Sequence, residues 1–474
     1  MVKTIKNINK NVEATYSISV KGIVQGVGFR PFIWRLARES GLYGSVCNTT
    51  EGVLIKINIK DEKKLMLFIK KIKQKKPSPA LIEEIAYEKS DYKEFSNFTI
   101  SDSIRTENRF QLVSPDLAAC SSCIHDIMDE KNSRRYSYPF TNCTNCGPRF
   151  TIIKKMPYDR QNTTMKKFGM CPECSKEYND PSDRRFHAQP NACKLCGPTL
   201  SLTDKNGNMI ICSDPVYEAS ELLHKGKIIG IKSLGGFQIA CDATNDYSVM
   251  QLRKKKKRPS KPFAIMFRDL KMASAYYKLN KAQIQSLKSP GAPVLLVKKN
   301  PGTAARHISD RVSGFNNYEG IMIAYTPLHH LLFKNIDVPL VMTSGNVSEE
   351  PIASENNEAI NKLGGICDYF LTNNRDIFSK YDDSVIRIIG NREASIRRAR
   401  GYAPYPIKIE CDAGKNPVLA TGAQEKNTFC LLYSNFAIIS QHLGDMDNAE
   451  TVHFFKDTLE NYMKIFGLPG LRMV

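Results

Sequence analysis

At 474 residues and 42% hydrophobic side chains, the chain is long enough for several packed domains of roughly 100–200 residues each. Its 68 Lys and Arg against 48 Asp and Glu leave a formal charge of +20, which favours anionic partners such as nucleotides, phosphorylated metabolites, nucleic acid or an acidic protein. No run of 18 apolar residues occurs and the N-terminal MVKTIKNINKN lacks an apolar centre, so a cytoplasmic protein with reduced cysteines and no membrane partner is expected.

After a tail over residues 1–13, Tyr16-Ser-Ile-Ser-Val20 alternates like a strand and runs into a glycine-rich turn, Lys21 to Arg30. Pro31 then opens a helix to Ser40, at the first-turn position that suits proline. Glycines 22, 26 and 28 let successive N–H groups converge on an anion beside the helix N-terminus, where Arg30 can grip a phosphate with two hydrogen bonds. Extended stretches at Tyr43–Asn48 and Val53–Ile59, a helix near Asp61–Lys71 and a last strand near Phe95–Ser101 complete a βαββαβ order, a ferredoxin-like α+β fold. The run Gly22 to Arg30 reads G-I-V-Q-G-V-G-F-R and resembles the signature of acylphosphatases over about residues 14–104. By that likeness Gln25, Gly26, Val27, Gly28 and Phe29 form the phosphate loop, Arg30 binds the phosphoryl group, and Asn48 orients the attacking water.

Residues 105–205 carry four Cys-x-x-Cys pairs: Cys120/Cys123, Cys143/Cys146, Cys171/Cys174 and Cys193/Cys196. The spacers are 19, 24 and 18 residues, which suggests two modules of four thiolates, each enough for one structural Zn2+. Gly-Pro follows the second pair of each module, at 147–148 and 197–198, as in an internal duplication. The spacing also admits an interleaved arrangement, in which outer pairs share one metal and inner pairs the other, and a disulfide reading of the same eight cysteines. The basic and aromatic residues between the pairs fit the covering of a thin core, or single-stranded nucleic acid.

From about residue 206 to 406 the texture is α/β. A helix at Val216–Lys225 and a short apolar strand at Ile228–Ser233 precede a helix that ends in six basic residues, Arg253 to Arg258. A Pro-bounded strand follows, and Lys256, Arg258 and Lys261 are placed at its edge, where a polyphosphate could sit. Pro339 to Ser348 reads as a buried strand emptying into a small polar loop. The K-x-R of Lys256 and Arg258 and the S-x-N of Ser344 and Asn346 resemble elements of the YrdC-like family, which binds ATP and makes acyl-adenylates. The resemblance implies that Lys256 and Arg258 contact the triphosphate, Ser344 and Asn346 the nucleotide, and Arg397 or Arg398 the far edge of the pocket, with Mg2+ accompanying ATP.

After a linker at 407–415, residues 416–474 look like the opening hairpin of an actin-like, TsaD-like carbamoyltransferase domain, with a helix at Thr451–Ile465. They are too few to close that fold, and a truncated domain is expected. The whole order resembles the HypF-type carbamoyltransferases of [NiFe]-hydrogenase maturation. That likeness implies hydrolysis of carbamoyl phosphate at Arg30/Asn48, formation of carbamoyl-AMP from ATP, and transfer to the C-terminal cysteine of the partner HypE, a last step expected to be missing from so short a final domain. The alternative is an RNA-binding protein of tRNA threonylcarbamoyl-adenylate formation.

Overall fold

The computed structural model describes residues 14–49, 52–77, 79–101, 104, 112–299, 307–348, 350–414 and 416–471; the tail at 1–13 lies outside them. The chain divides into two compact units, residues 1–112 with 177–187, and residues 113–176 with 188–474.

In the first unit β1 (Ala14–Ile23), α1 (Phe29–Glu39), β2 (Gly44–Thr49), β3 (Gly52–Ile59), α2 (Glu62–Lys75), β4 (Leu81–Ser90) and β5 (Phe98–Ile100) follow one another. The sheet order is β4-β1-β3-β2-β5. Ile18, Val20, Ile55 and Ile57 turn one face inward, and each helix lays an apolar stripe on it: Phe32, Ile33, Leu36 and Ala37 from α1, Leu65, Phe68, Ile69 and Ile72 from α2. Asp61 caps α2 by accepting from the Lys63 N–H at 2.9 Å. The fourth strand of the βαββαβ order therefore lies at 81–90, not at 95–101. The later stretch supplies a fifth strand, parallel to β2.

The second unit opens with α3 (Ser121–Met128) and α4 (Pro172–Asn179), each carrying the second cysteine of its pair. An eleven-stranded sheet follows, built from β6 (Leu200–Asp204), β7 (Met209–Ile210), β8 (Ile229–Lys232), β9 (Phe237–Asp242), β10 (Ala264–Phe267), β11 (Val294–Lys298), β12 (Tyr318–Ile323), β13 (Leu340–Ser344), β14 (Tyr369–Asn373), β15 (Val385–Ile389) and β16 (Arg392–Arg397). Their order is β16-β15-β11-β12-β10-β13-β9-β8-β14-β6-β7. Because β6 pairs with β14, the sheet begins before residue 206.

Strand alternation sends neighbouring side chains to opposite cores. Ile239, Ile265, Phe267 and Val341 face one, with α6 (Asp246–Lys255), α7 (Leu270–Ser274), α8 (Lys281–Leu287) and α10 (Asn356–Leu363) over it. Ala240, Met266, Leu340 and Met342 face the other, covered by α5 (Pro215–His224), α9 (Pro327–Leu332) and Ile127 of α3. A four-stranded sheet of order β17-β20-β19-β18 closes the chain, from β17 (Ile407–Lys408), β18 (Val418–Ala420), β19 (Cys430–Tyr433) and β20 (Phe436–Ile439). The final helix, α11 (Ala449–Phe466), is capped by Asn448, which accepts from the Thr451 N–H at 2.8 Å, and buries Phe454, Tyr462 and Phe466.

Candidate functional site

Three constellations carry chemistry. In the first unit Gly26 (φ 69°) and Gly28 (φ 74°) take left-handed backbone where a side chain would be strained, and Gly28 hands the chain directly into α1. Helix α1 thus begins at Phe29, two residues before the expected Pro31. Arg30 lies in its first turn, where the open N–H groups favour an anion. Buried Val27 and Phe29 pin the loop inward, and the Gln25 side-chain amide donates to Thr49 O at 2.7 Å and Gly52 O at 2.8 Å. Those two bonds tie the loop to the last residue of β2 and the first of β3, beside Asn48. Burial raises the Cys47 thiol pKa, and the Lys56 and Arg30 charges oppose it, so Arg30 acts electrostatically on the residue next to Asn48. Asn48 Oδ1 is buried and has no hydrogen-bond partner among the described residues, so it offers an acceptor for a water proton.

In the second unit the eight paired cysteines gather by module, Cys120, Cys123, Cys143 and Cys146 in one group, Cys171, Cys174, Cys193 and Cys196 in the other. The interleaved arrangement and disulfides are therefore set aside; all eight are free thiols. Four sulfurs on a zinc ion with 2.3 Å bonds stand about 3.8 Å apart. Cys120 and Cys143 are separated by 3.6 Å, Cys143 and Cys146 by 3.8 Å, Cys171 and Cys193 by 3.8 Å, and Cys193 and Cys196 by 3.8 Å. Both groups fit tetrahedral Zn2+. Arg134 donates to Cys174 Sγ at 2.9 Å and the Asn145 N–H lies 3.4 Å from Cys143 Sγ, contacts that favour thiolates.

The third constellation lies where α6 ends against β13. Lys256 is only 4% exposed, and its Nζ donates to Ser344 O at 2.8 Å, Asn346 O at 2.6 Å and Asn346 Oδ1 at 2.9 Å. Ser344 Oγ donates to the same Asn346 Oδ1 at 2.8 Å. Arg258 donates to Thr343 Oγ1 at 3.1 Å and to Pro262 O, and stacks over Phe263 at 4.8 Å. The K-x-R and S-x-N elements, 88 residues apart, thus meet in one place. Burial, then the neighbouring Arg258, lowers Lys256 to about 7, and burial with Arg397 and Arg253 lowers Arg258 to about 10. Lys261 is likewise lowered, by burial and then Arg397 and Arg258. Buried cations that also lower one another's pKa favour an anion beside them.

Arg397 lies beside this cluster, 3.6 Å from Asp382, whereas Arg398 donates to Ile439 O at 2.7 Å, Tyr402 O at 2.8 Å and Tyr405 O. Arg398 thus ties the sheet edge to β20, whereas Arg397 acts electrostatically on Arg258 and Lys261. Sequence reasoning missed Asp382 and His442, paired at 3.1 Å. Burial pushes the Asp382 carboxyl up, but His442, Arg397 and Lys261 outweigh it and hold it near 2. The signal was Asp382-Asp383 directly before an apolar strand.

Four family models match in succession: acylphosphatase over 16–100, the HypF finger over 119–153 and 170–203, the Sua5/YciO/YrdC model described as telomere recombination over 221–399, and the HypF Kae1-like domain over 413–472. Carbamoyltransferase HypF of Synechocystis sp. is 42% identical over 97% of this chain and 59% of its own length. The chain belongs to the HypF family. It spans about three-fifths of the length of the curated HypF relatives it matches. A crystal structure of full-length HypF in the phosphate- and nucleotide-bound form is 43% identical to this HypF-family chain, with a TM-score of 0.89, over 98% of this chain and 60% of that one. An acylphosphatase of Thermotoga petrophila is 36% identical over 18% of this chain and 91% of its own length. The fold is thus the multidomain series of this family, with zinc as the metal its two four-cysteine sites fit. Among the described residues no helix is long and apolar enough to cross a membrane.

Proposed function

We propose that the chain hydrolyses carbamoyl phosphate to carbamate and phosphate at Arg30 and Asn48. Carbamate oxygen then attacks the α-phosphorus of ATP at Lys256 and Arg258, giving carbamoyl-AMP and releasing pyrophosphate. The carbamoyl group is destined for the C-terminal cysteine thiol of HypE, and the setting is the cytoplasm. One observation carries this reading: a phosphate loop beside an unpartnered Asn48 amide oxygen and a buried cation cluster with an Asn–Ser floor stand on one chain. The first needs charge stabilisation and a placed water, because a mixed anhydride already has a good leaving group. The second needs a polyphosphate grip, with Ser344 and Asn346 toward the nucleotide, Arg397 at its edge and Mg2+ accompanying the ATP. The related full-length structure, which holds phosphate and nucleotide, supports both assignments.

An RNA-binding role draws on the run Arg253 to Arg258, yet most of that run is used internally. Lys255 pairs with Asp368 at 2.9 Å, Arg253 donates to Arg258 O and Val312 O, and Lys256 and Arg258 build the cluster. Lys254 and Lys257 are left exposed.

Phosphate release from carbamoyl phosphate tests the first step. Arg30→Ala should slow it about 100-fold or more, as loss of a principal charge stabiliser does, and Asn48→Ala should also slow it. Equal rates in wild type and Arg30→Ala would overturn the assignment.

A further inference from the structure

Away from the cation cluster, where the zinc region meets the α/β sheet, a cavity of about 30 Å³ is lined by Lys232, Ser233, Tyr325 and Arg375 on its polar side and by Phe140 and Leu234 among its apolar walls. It is an order of magnitude smaller than the roughly 300–1,000 Å³ of sites for drug-sized ligands, so a nucleotide is excluded. Arg375 is 7% exposed, and among the described residues its guanidinium has no hydrogen-bond partner; the Phe140 ring lies 5.2 Å from it. The buried carboxylate that acts on it, Asp116, is engaged by the Arg149 N–H at 2.6 Å, the Thr151 N–H at 3.2 Å and the Thr151 hydroxyl at 2.5 Å. Lys232, 3% exposed, donates to Asn356 Oδ1 at 2.9 Å and reaches Asn373 O at 3.4 Å, both neutral acceptors. Burial lowers it to about 8; the Glu355 and Asp376 carboxylates oppose that, and Arg375 and Lys167 add to it.

A guanidinium cannot shed its proton, and a buried one without a hydrogen-bonded partner is costly to keep. Two buried cations that line one small cavity repel each other, and a small anion held there would relieve that repulsion and give the Arg375 guanidinium hydrogen-bond acceptors. We propose that the Lys232–Arg375 cavity is a binding site for a small carboxylate-type anion, carbamate or bicarbonate, held by the flat Arg375 fork and the Lys232 ammonium. That the occupant is an oxyanion stands on the geometry; its carboxylate type rests on the carbamate chemistry proposed above. The neighbouring hydroxyls of Ser233 and Tyr325 offer further donors. The zinc region supplies Phe140, so the metal-held module closes the site on one side.

The test is the ¹³C line width of labelled bicarbonate at pH 8, with and without ammonia, added to the zinc-loaded chain. With ammonia present, carbamate and bicarbonate give separate resonances, and the one that broadens identifies the occupant. Broadening by wild type that falls about tenfold or more in Arg375→Gln and in Lys232→Gln, and persists in Lys256→Met, is the expected result. Two zinc ions per chain in each variant certify the fold, and Lys232→Gln serves should Arg375→Gln not fold. Equal broadening in all proteins, loss in Lys256→Met, or displacement by inorganic phosphate at equal concentration would overturn the proposal. Carbamoyl-phosphate hydrolysis plays no part in this readout, so its failure and failure of the proposed function are told apart.

Discussion

Lys256 shows how the surrounding fold changes the chemistry of one side chain. Burial holds its pKa near 7 against an ordinary 10.5, so between those values the unfolded chain binds a proton that the folded chain does not. Its contribution therefore favours folding as pH rises from about 7 to 10.5 and is lost as pH falls through that window. A bound triphosphate reverses the balance by favouring the ammonium. At pH 8 nucleotide binding should take up close to one proton, read by calorimetry as a binding heat that varies with the buffer's ionisation enthalpy. Lys256→Met should remove that dependence and weaken binding about tenfold or more. A wild-type heat independent of buffer would contradict the assignment of Lys256 to the phosphates. Arg398 makes the opposite case, since its guanidinium is spent on three backbone carbonyls. Arg398→Ala should loosen residues 407–471, seen as faster proteolysis there, at a cost of about 3 kcal/mol, while nucleotide affinity stays within about twofold. A large affinity loss with unchanged proteolysis would restore it to the pocket.

Elements differ in how openly the sequence shows them. The loop from Gly22 to Arg30, the cysteine pairs, and the short apolar strands at 229–232 and 340–344 were all legible, because each rests on local spacing or on a run buried on both faces. Strand β4 was not. It is an edge strand, exposed along most of its length, so Glu83, Glu84, Glu88 and Lys89 break the alternation that would announce it. Strand β6 was read as part of the zinc region, because its place against β14 is a pairing 169 residues away in sequence (Leu202↔Leu371). The S-x-N and K-x-R elements were visible singly, whereas Asp382 and His442, joined only by tertiary contact, were not. Within the zinc region Tyr138, Phe140, Ile152, Met165 and Ala192 form one small core cluster beside the metal sites. Such modules depend on their metal. Chelation of both ions should expose residues 119–199 to proteolysis, and Cys120→Ser with Cys123→Ser should leave one zinc per chain, bound by the second group. Loss of both ions in that double variant would show that the two groups fold as one.

Across the whole molecule, the proposed function has two anion sites of different build serve one short-lived intermediate. Carbamate decays in water, so carrying its source and its consumer on a single chain raises the chance of capture. The loop from Gln25 to Phe29 is positioned by backbone and a glutamine anchor, while the Lys256–Arg258 cluster is built from side chains brought together across the sheet. The two lie in different compact units, so each can be altered by its own substitution and their coupling measured. The most direct measurement is pyrophosphate release from ATP, with and without carbamoyl phosphate, by wild type and by Arg30→Ala. Release that requires carbamoyl phosphate in wild type and disappears in Arg30→Ala is the predicted result. Release that ignores carbamoyl phosphate, or that survives unchanged in Arg30→Ala, would contradict the account.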